Sequence, residues 1–263
     1  MLTKKKLATI AATGMVTVGL LVGGASYALF TDTEANSGNS FKAGTLELTQ
    51  HRHDVPIEGP MFYVDNNDAG EMGTGLWAPL DSHTRAMFIT NTGSLDGKVT
   101  QVSAKAKTGT DAADLANFSE QALVTIAVFE APDGVIFDDS VYEWANKEFD
   151  KAFKRGMNGG VISQILAKVG QIAAADLIRE EILSWKFDVD SSGQSIRVTD
   201  VYVGPLSNLL DGEDVLEELI LKSGDTAHLG YTVALTNHPN NNLIKNKTLE
   251  FEFKTTFEQV RNN

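Results

Sequence analysis

Five histidines, two oxygen-rich loops and no cysteine bound the chemistry open to this 263-residue chain. Without cysteine there is no thiol nucleophile, no disulfide and no Cys-rich metal site. The histidines are His51, His53, His83, His228 and His238. His51 and His53 stand two apart, so on a strand they point to one side and could form half of a zinc site. A catalytic zinc would need a third ligand and a base, and His83 with Glu58 or Glu71 is the candidate. No H-E-x-x-H occurs, and two solvated histidines at a strand end read the same pattern more simply. A calcium-like start, "DVDSSGQSIRVTD", places Asp188, Asp190 and Ser192 at alternate positions before Gly193. An EF-hand loop requires Glu at its twelfth position, where this chain has Thr199, and the flanks read as strands. An acidic hairpin turn accounts for the same residues. "DNNDAGEMGTG" (65–75) is a second such loop. There is no G-x-S-x-G, and "GMNGGV" lacks the Lys-Ser/Thr of a phosphate loop. The expectation is therefore no catalytic residue and no obligatory cofactor, with calcium or zinc as the ions the side chains could take.

The N-terminus has its own chemistry. Lys4, Lys5 and Lys6 precede an apolar run from Leu7 to Val22, and Ser26-Tyr27-Ala28 supplies small residues where a signal peptidase reads. Residues 1–28 are expected to be a signal peptide cut between Ala28 and Leu29. An uncleaved membrane anchor is the rival, because the run is nearly long enough to span a bilayer. The formal charge of −13 becomes more negative once the three lysines leave. Such a surface repels nucleic acid and anionic lipid, so neither nucleic-acid binding nor membrane attachment after cleavage is expected.

The rest of the chain is read from its periodicity. "FKAGTLELTQ" (41–50) alternates as a half-buried strand, and residues 83–108 read as two strands around a turn. "ALVTIAVFEAP" (122–132) is a continuous apolar run suited to a core. From Val141 the spacing becomes helical, with Ser140 as a plausible N-cap, and helical patterning continues to about Trp185. Strand character returns in "SIRVTDVYVG" (195–204). "AHLGYTVALTN" and "TLEFEFKTTFE" read as a last pair, with Leu249, Phe251 and Phe253 alternating against charged residues. The fold class is mainly β: an antiparallel jelly-roll-like sandwich over residues 41–263, with an α-helical insertion at about 140–186 packed on a sheet edge or barrel end.

Three segments resemble the TasA/camelysin family of secreted biofilm-matrix proteins of Gram-positive bacteria, a family classed with metalloendopeptidases. They are "YALFTDTEANSGNSFKAGTLEL" (27–48), "LDSHTRAMFITNTGSLDGKV" (80–99) and "KTLEFEFKTTFEQV" (247–260). The resemblance implies a jelly-roll subunit, freed by a dedicated signal peptidase, that polymerises head to tail with copies of itself. Leu29, Phe30, Thr31, Asp32 and Thr33 would be a donor strand, and Glu34–Ser40 a tether. A donated strand offers its main chain to a neighbour's sheet edge and its alternate side chains to pockets. Head-to-tail addition that does not close makes a filament. Partners would be the chain itself, the signal peptidase and related matrix or accessory proteins. Two other functions compete: a camelysin-type zinc endopeptidase, if His51, His53 and His83 converge, and a monomeric adhesin or assembly accessory.

Overall fold

The computed structural model describes residues 45–52, 61–62, 74–106, 109–132, 138–189, 194–212, 216, 219–247, 249 and 251–260. All lie within one compact unit, Ala43–Asn263. The signal segment, the Ala28–Leu29 cleavage site and the donor residues Leu29–Thr33 fall outside the described residues, as does His53.

Among the described residues, nine strands form two antiparallel sheets. They are β1 (Leu48–His51), β2 (Ser82–Asn91), β3 (Gly97–Ala106), β4 (Ala122–Glu130), β5 (Lys186–Asp188), β6 (Ser195–Pro205), β7 (Ile220–Leu221), β8 (Thr226–Leu235) and β9 (Phe251–Gln259). The larger sheet runs β1-β2-β8-β4-β6-β5 and the smaller one β7-β3-β9. The helices are α1 (Ala112–Gln121), α2 (Asp139–Met157), α3 (Val161–Leu183) and α4 (Leu206–Asp211), with a 3-10 turn at Asn241–Ile244. The protein is mainly β, as its patterning predicts.

The larger sheet is buried on both faces. On one side Ile89, Val124, Ile126, Val128, Leu229 and Val233 meet Val99, Val102 and Ala104 of the smaller sheet. On the other, Phe88, Leu123, Ala127, Phe129 and Val201 meet Phe149, Phe153, Ile178 and Ile182 of the helices. Double burial explains why "ALVTIAVFE" is apolar without alternation. The helical segment thus covers a sheet face, where an edge or barrel end was expected. At the closest approach a Cβ on Gly230 would stand 2.5 Å from Asn146 Oδ1 and 2.8 Å from the Phe129 ring, so only glycine lets α2 settle there.

Two expected pairings are corrected. β2 and β3 do not form a hairpin: β2 pairs with β1 and β8, while β3 crosses to the smaller sheet and pairs with β9. Nor do β8 and β9 pair. They lie face to face, with Tyr231 against Phe253 at 5.3 Å and the Tyr231 hydroxyl bonded to Thr255 Oγ1 at 3.0 Å. Alternation specifies a strand and its buried face, but it does not say which sheet receives it. The N-cap of α2 is Asp138, whose carboxylate accepts from the Val141 N–H and from the Ser140 hydroxyl, so Ser140 supports the cap from inside the first turn.

Candidate functional site

Strand register gathers titratable side chains that lie far apart in sequence. His51 on β1 stands opposite Phe88 on β2, and Phe88 stands opposite His228 on β8. The three form one row on the helix-facing side. His51 stacks on Phe88 at 5.0 Å, and His228 meets the same ring edge-on at 5.3 Å. Tyr142, on the first turns of α2, stacks on His228 at 3.7 Å. The start of α2 places Asp139 over this row. Its Oδ2 lies 2.6 Å from His51 Nε2 and its Oδ1 3.3 Å from His228 Nε2.

The electrostatics follow from this packing. Burial alone would raise the Asp139 carboxyl, but hydrogen bonds from His51 and His228 outweigh it and hold the group below its usual value. Burial pushes His228 down, an effect that Asp139 partly offsets. The arrangement fastens the edge strand β1 and the central strand β8 to one helix. Replacing Asp139 with Ala should cost on the order of 1 kcal/mol, because His51 and Asp139 are 41% and 35% exposed and water screens the pair. Thermal unfolding of the variant beside the parent measures this.

Two histidines and a carboxylate are the ligand types of a zinc hydrolase. Their geometry does not suit an ion, however: each imidazole addresses a different oxygen of Asp139. Among the described residues no group of three or more His, Asp or Glu is placed to hold a metal. His51 and His83, whose convergence the endopeptidase alternative requires, lie apart. His83 lies five residues along β2 from Phe88, His51's partner, on the opposite face and roughly 17 Å away along the strand. It packs against Trp77 at 4.9 Å. Asp188 ends β5, exposed, opposite Ser195 on β6, and the Val189 N–H donates to the Gln194 carbonyl at 2.8 Å. The antiparallel pairing of β5 with β6 thus extends to Val189 and Gln194. Asp190 and Ser192 lie outside the described residues.

His83 carries a pH dependence. Burial, with smaller contributions from Lys154 and Arg85, lowers it from 6.5 to about 4. The unfolded chain therefore takes up a proton near pH 6.5 that the folded protein refuses until about pH 4. Stability is fully present above pH 6.5 and falls as pH drops toward 4; His228, also lowered, acts in the same direction. A His83→Asn variant should show a shallower loss of melting temperature between those pH values, and an unchanged slope would refute the assignment.

Asp139 and His228 escape sequence reasoning because no spacing links positions 51, 139 and 228. Only the β1-β2-β8 register and the landing point of α2 do. An open cleft of about 550 Å³ lies elsewhere, between α2, α3 and β5, with Trp144, Trp185 and Phe187 among its walls. No described helix is long and apolar enough to cross a membrane. A family model described as camelysin metallo-endopeptidase matches residues 2–195. No curated protein matches the chain.

Proposed function

Because the chain belongs to the camelysin metallo-endopeptidase family, we propose that it is a secreted structural subunit that polymerises through its N-terminal segment into extracellular matrix fibres. The observation that carries this reading is a two-sheet sandwich in whose smaller sheet, among the described residues, the nine-residue strand β9 pairs with β3 alone. A long strand with one open side is a template for another chain. Signal cleavage after Ala28 would free Leu29–Thr33 to supply that strand, so processing would license assembly. Electron microscopy tests this with protein beginning at Leu29 beside protein beginning at Phe41. Filaments are expected from the first and none from the second; filaments from both would remove residues 29–40 from the account.

The family description favours a second reading, a zinc-dependent endopeptidase, and the His51–Asp139–His228 group supplies its ligand types. As those side chains are placed they do not fit a metal centre, and no catalytic step is derived through one. Under the structural reading, casein incubated with the protein and zinc stays intact. Cleavage that a chelator abolishes would establish the second reading instead.

A further inference from the structure

The open cleft of about 550 Å³ between α2, α3 and β5 shares no lining residue with the His51–Asp139–His228 group. Two local periodicities build its walls. On α2, Trp144, Glu148, Ala152 and Arg155 recur at helical spacing and so share one face. Ala152 is the small residue in that row and leaves space between Glu148 and Arg155. On β5 the side chains alternate: Phe187 points inward and is buried, while Lys186 and Asp188 point outward and are exposed.

Trp185 enters where α3 ends. Its indole N–H donates to the carboxylate of Glu181, one helical turn earlier, at 3.2 Å, and its ring stands edge-on to Phe149 at 5.2 Å. These contacts fix the ring before any ligand arrives, which lowers the cost of binding. Two of the chain's three tryptophans thus wall one cleft. Both are only half-buried, whereas Phe149 and Phe153 beside them are fully buried.

We infer that this cleft binds a neutral oligosaccharide. The electron-rich face of an indole packs against the C–H face of a pyranose ring, and the ring hydroxyls need donors and acceptors side by side. Arg155 and Lys186 supply donors; Asp188 and Glu148 supply acceptors. Among the described residues, the side chains of Arg155, Lys186 and Asp188 make no hydrogen bond or ion pair, so their capacity is unspent. Other ligand classes fit less well. The carboxylates of Glu148, Glu181 and Asp188 oppose an anion, and Arg155 with Lys186 opposes the cation that an aromatic cage would take. An extended peptide needs a main-chain ladder, and β5 offers an edge of only three residues. The volume falls within the range of about 300–1,000 Å³ for small-molecule sites, and the open form admits a chain longer than the cleft. The site is complete within one subunit and does not depend on polymerisation.

Intrinsic fluorescence reads this site directly, because Trp77, the remaining tryptophan, packs against His83 and is not a cleft wall. Protein beginning at Leu29 with Trp77→Phe is titrated with cellohexaose, laminarihexaose, maltohexaose and chitohexaose. Polyglutamate and a polyproline peptide serve as comparisons. A saturable change in emission is expected with at least one of the four sugars. Isothermal titration calorimetry then gives affinities that do not rely on the indoles, and Trp144→Ala and Arg155→Ala should each weaken binding at least tenfold. Arg155 is exposed, so its variant should melt like the parent and keeps the test valid if Trp144→Ala loosens the helices. No binding by any of the four sugars would overturn the inference. So would sugar binding that both variants leave unchanged, or binding by polyglutamate or polyproline alone.

Discussion

Replacing Thr31 and Asp32 together with proline is expected to abolish filament formation while leaving the melting temperature of the subunit within about 1 °C of the parent. Successive amides in a strand point to opposite sides. Removing two adjacent N–H groups therefore removes one that faces the acceptor, whichever register the donor takes. A proline in a strand also lacks the ladder donor and fixes its own backbone angle. Every described residue of both hydrophobic clusters lies at Leu48 or beyond, and the prediction of unchanged stability rests on those clusters. Single substitutions would be weaker tests, since a proline whose nitrogen faces solvent is tolerated on an edge strand. Electron microscopy and a thermal melt on the same preparation separate the two effects. Filaments from the double variant would show that the segment does not join by main-chain pairing.

Phe149→Ala is expected to lower stability by about 3–5 kcal/mol. Phe149 is fully buried where α2 meets the larger sheet. Its ring stands edge-on to Phe129 at 5.6 Å, to Trp185 at 5.2 Å and to Phe187 at 6.3 Å, and stacks on Phe153 at 6.1 Å. Truncation removes the hub of an aromatic cluster that joins α2, β4 and β5, and rigid neighbours on both sides resist collapse into the space. In a domain of this size the loss corresponds to a fall of roughly 6–20 °C in melting temperature. Val169→Ala is the matched control: Val169 is 45% exposed on α3 and should change stability by no more than about 0.5 kcal/mol. Equal melting curves for the two variants would mean that the helices do not complete the core.

The contrast between these residues shows where sequence reasoning reaches. Helical spacing from Val141 to Phe153 marks α2 and its buried face, and the apolar run 122–130 marks a core strand, because both are local consequences of periodicity. Phe251 and Phe253 alternate with charged residues in the sequence and face inward in the fold. Sheet membership was not legible. A short loop between β2 and β3 suits a hairpin and a sheet-to-sheet crossing alike, and only the competition among all strands for partners decides between them. The same non-local competition hides the candidate site. His51 and His53 attract attention for their spacing, yet Asp139 and Phe88, both distant in sequence, meet His51. Asp139 reaches it through a helix entering 88 residues later.

The most direct measurement of strand donation uses a synthetic peptide of residues 29–40 with protein beginning at Phe41, followed by fluorescence anisotropy of the labelled peptide. A vacant acceptor and a missing donor, supplied separately, should recombine: saturable one-to-one binding is predicted, weakened at least tenfold when Thr31 and Asp32 of the peptide are proline. The same peptide in excess should block filament growth by protein beginning at Leu29. No binding by the peptide, together with filaments that grow undisturbed in its presence, would contradict the account at its centre.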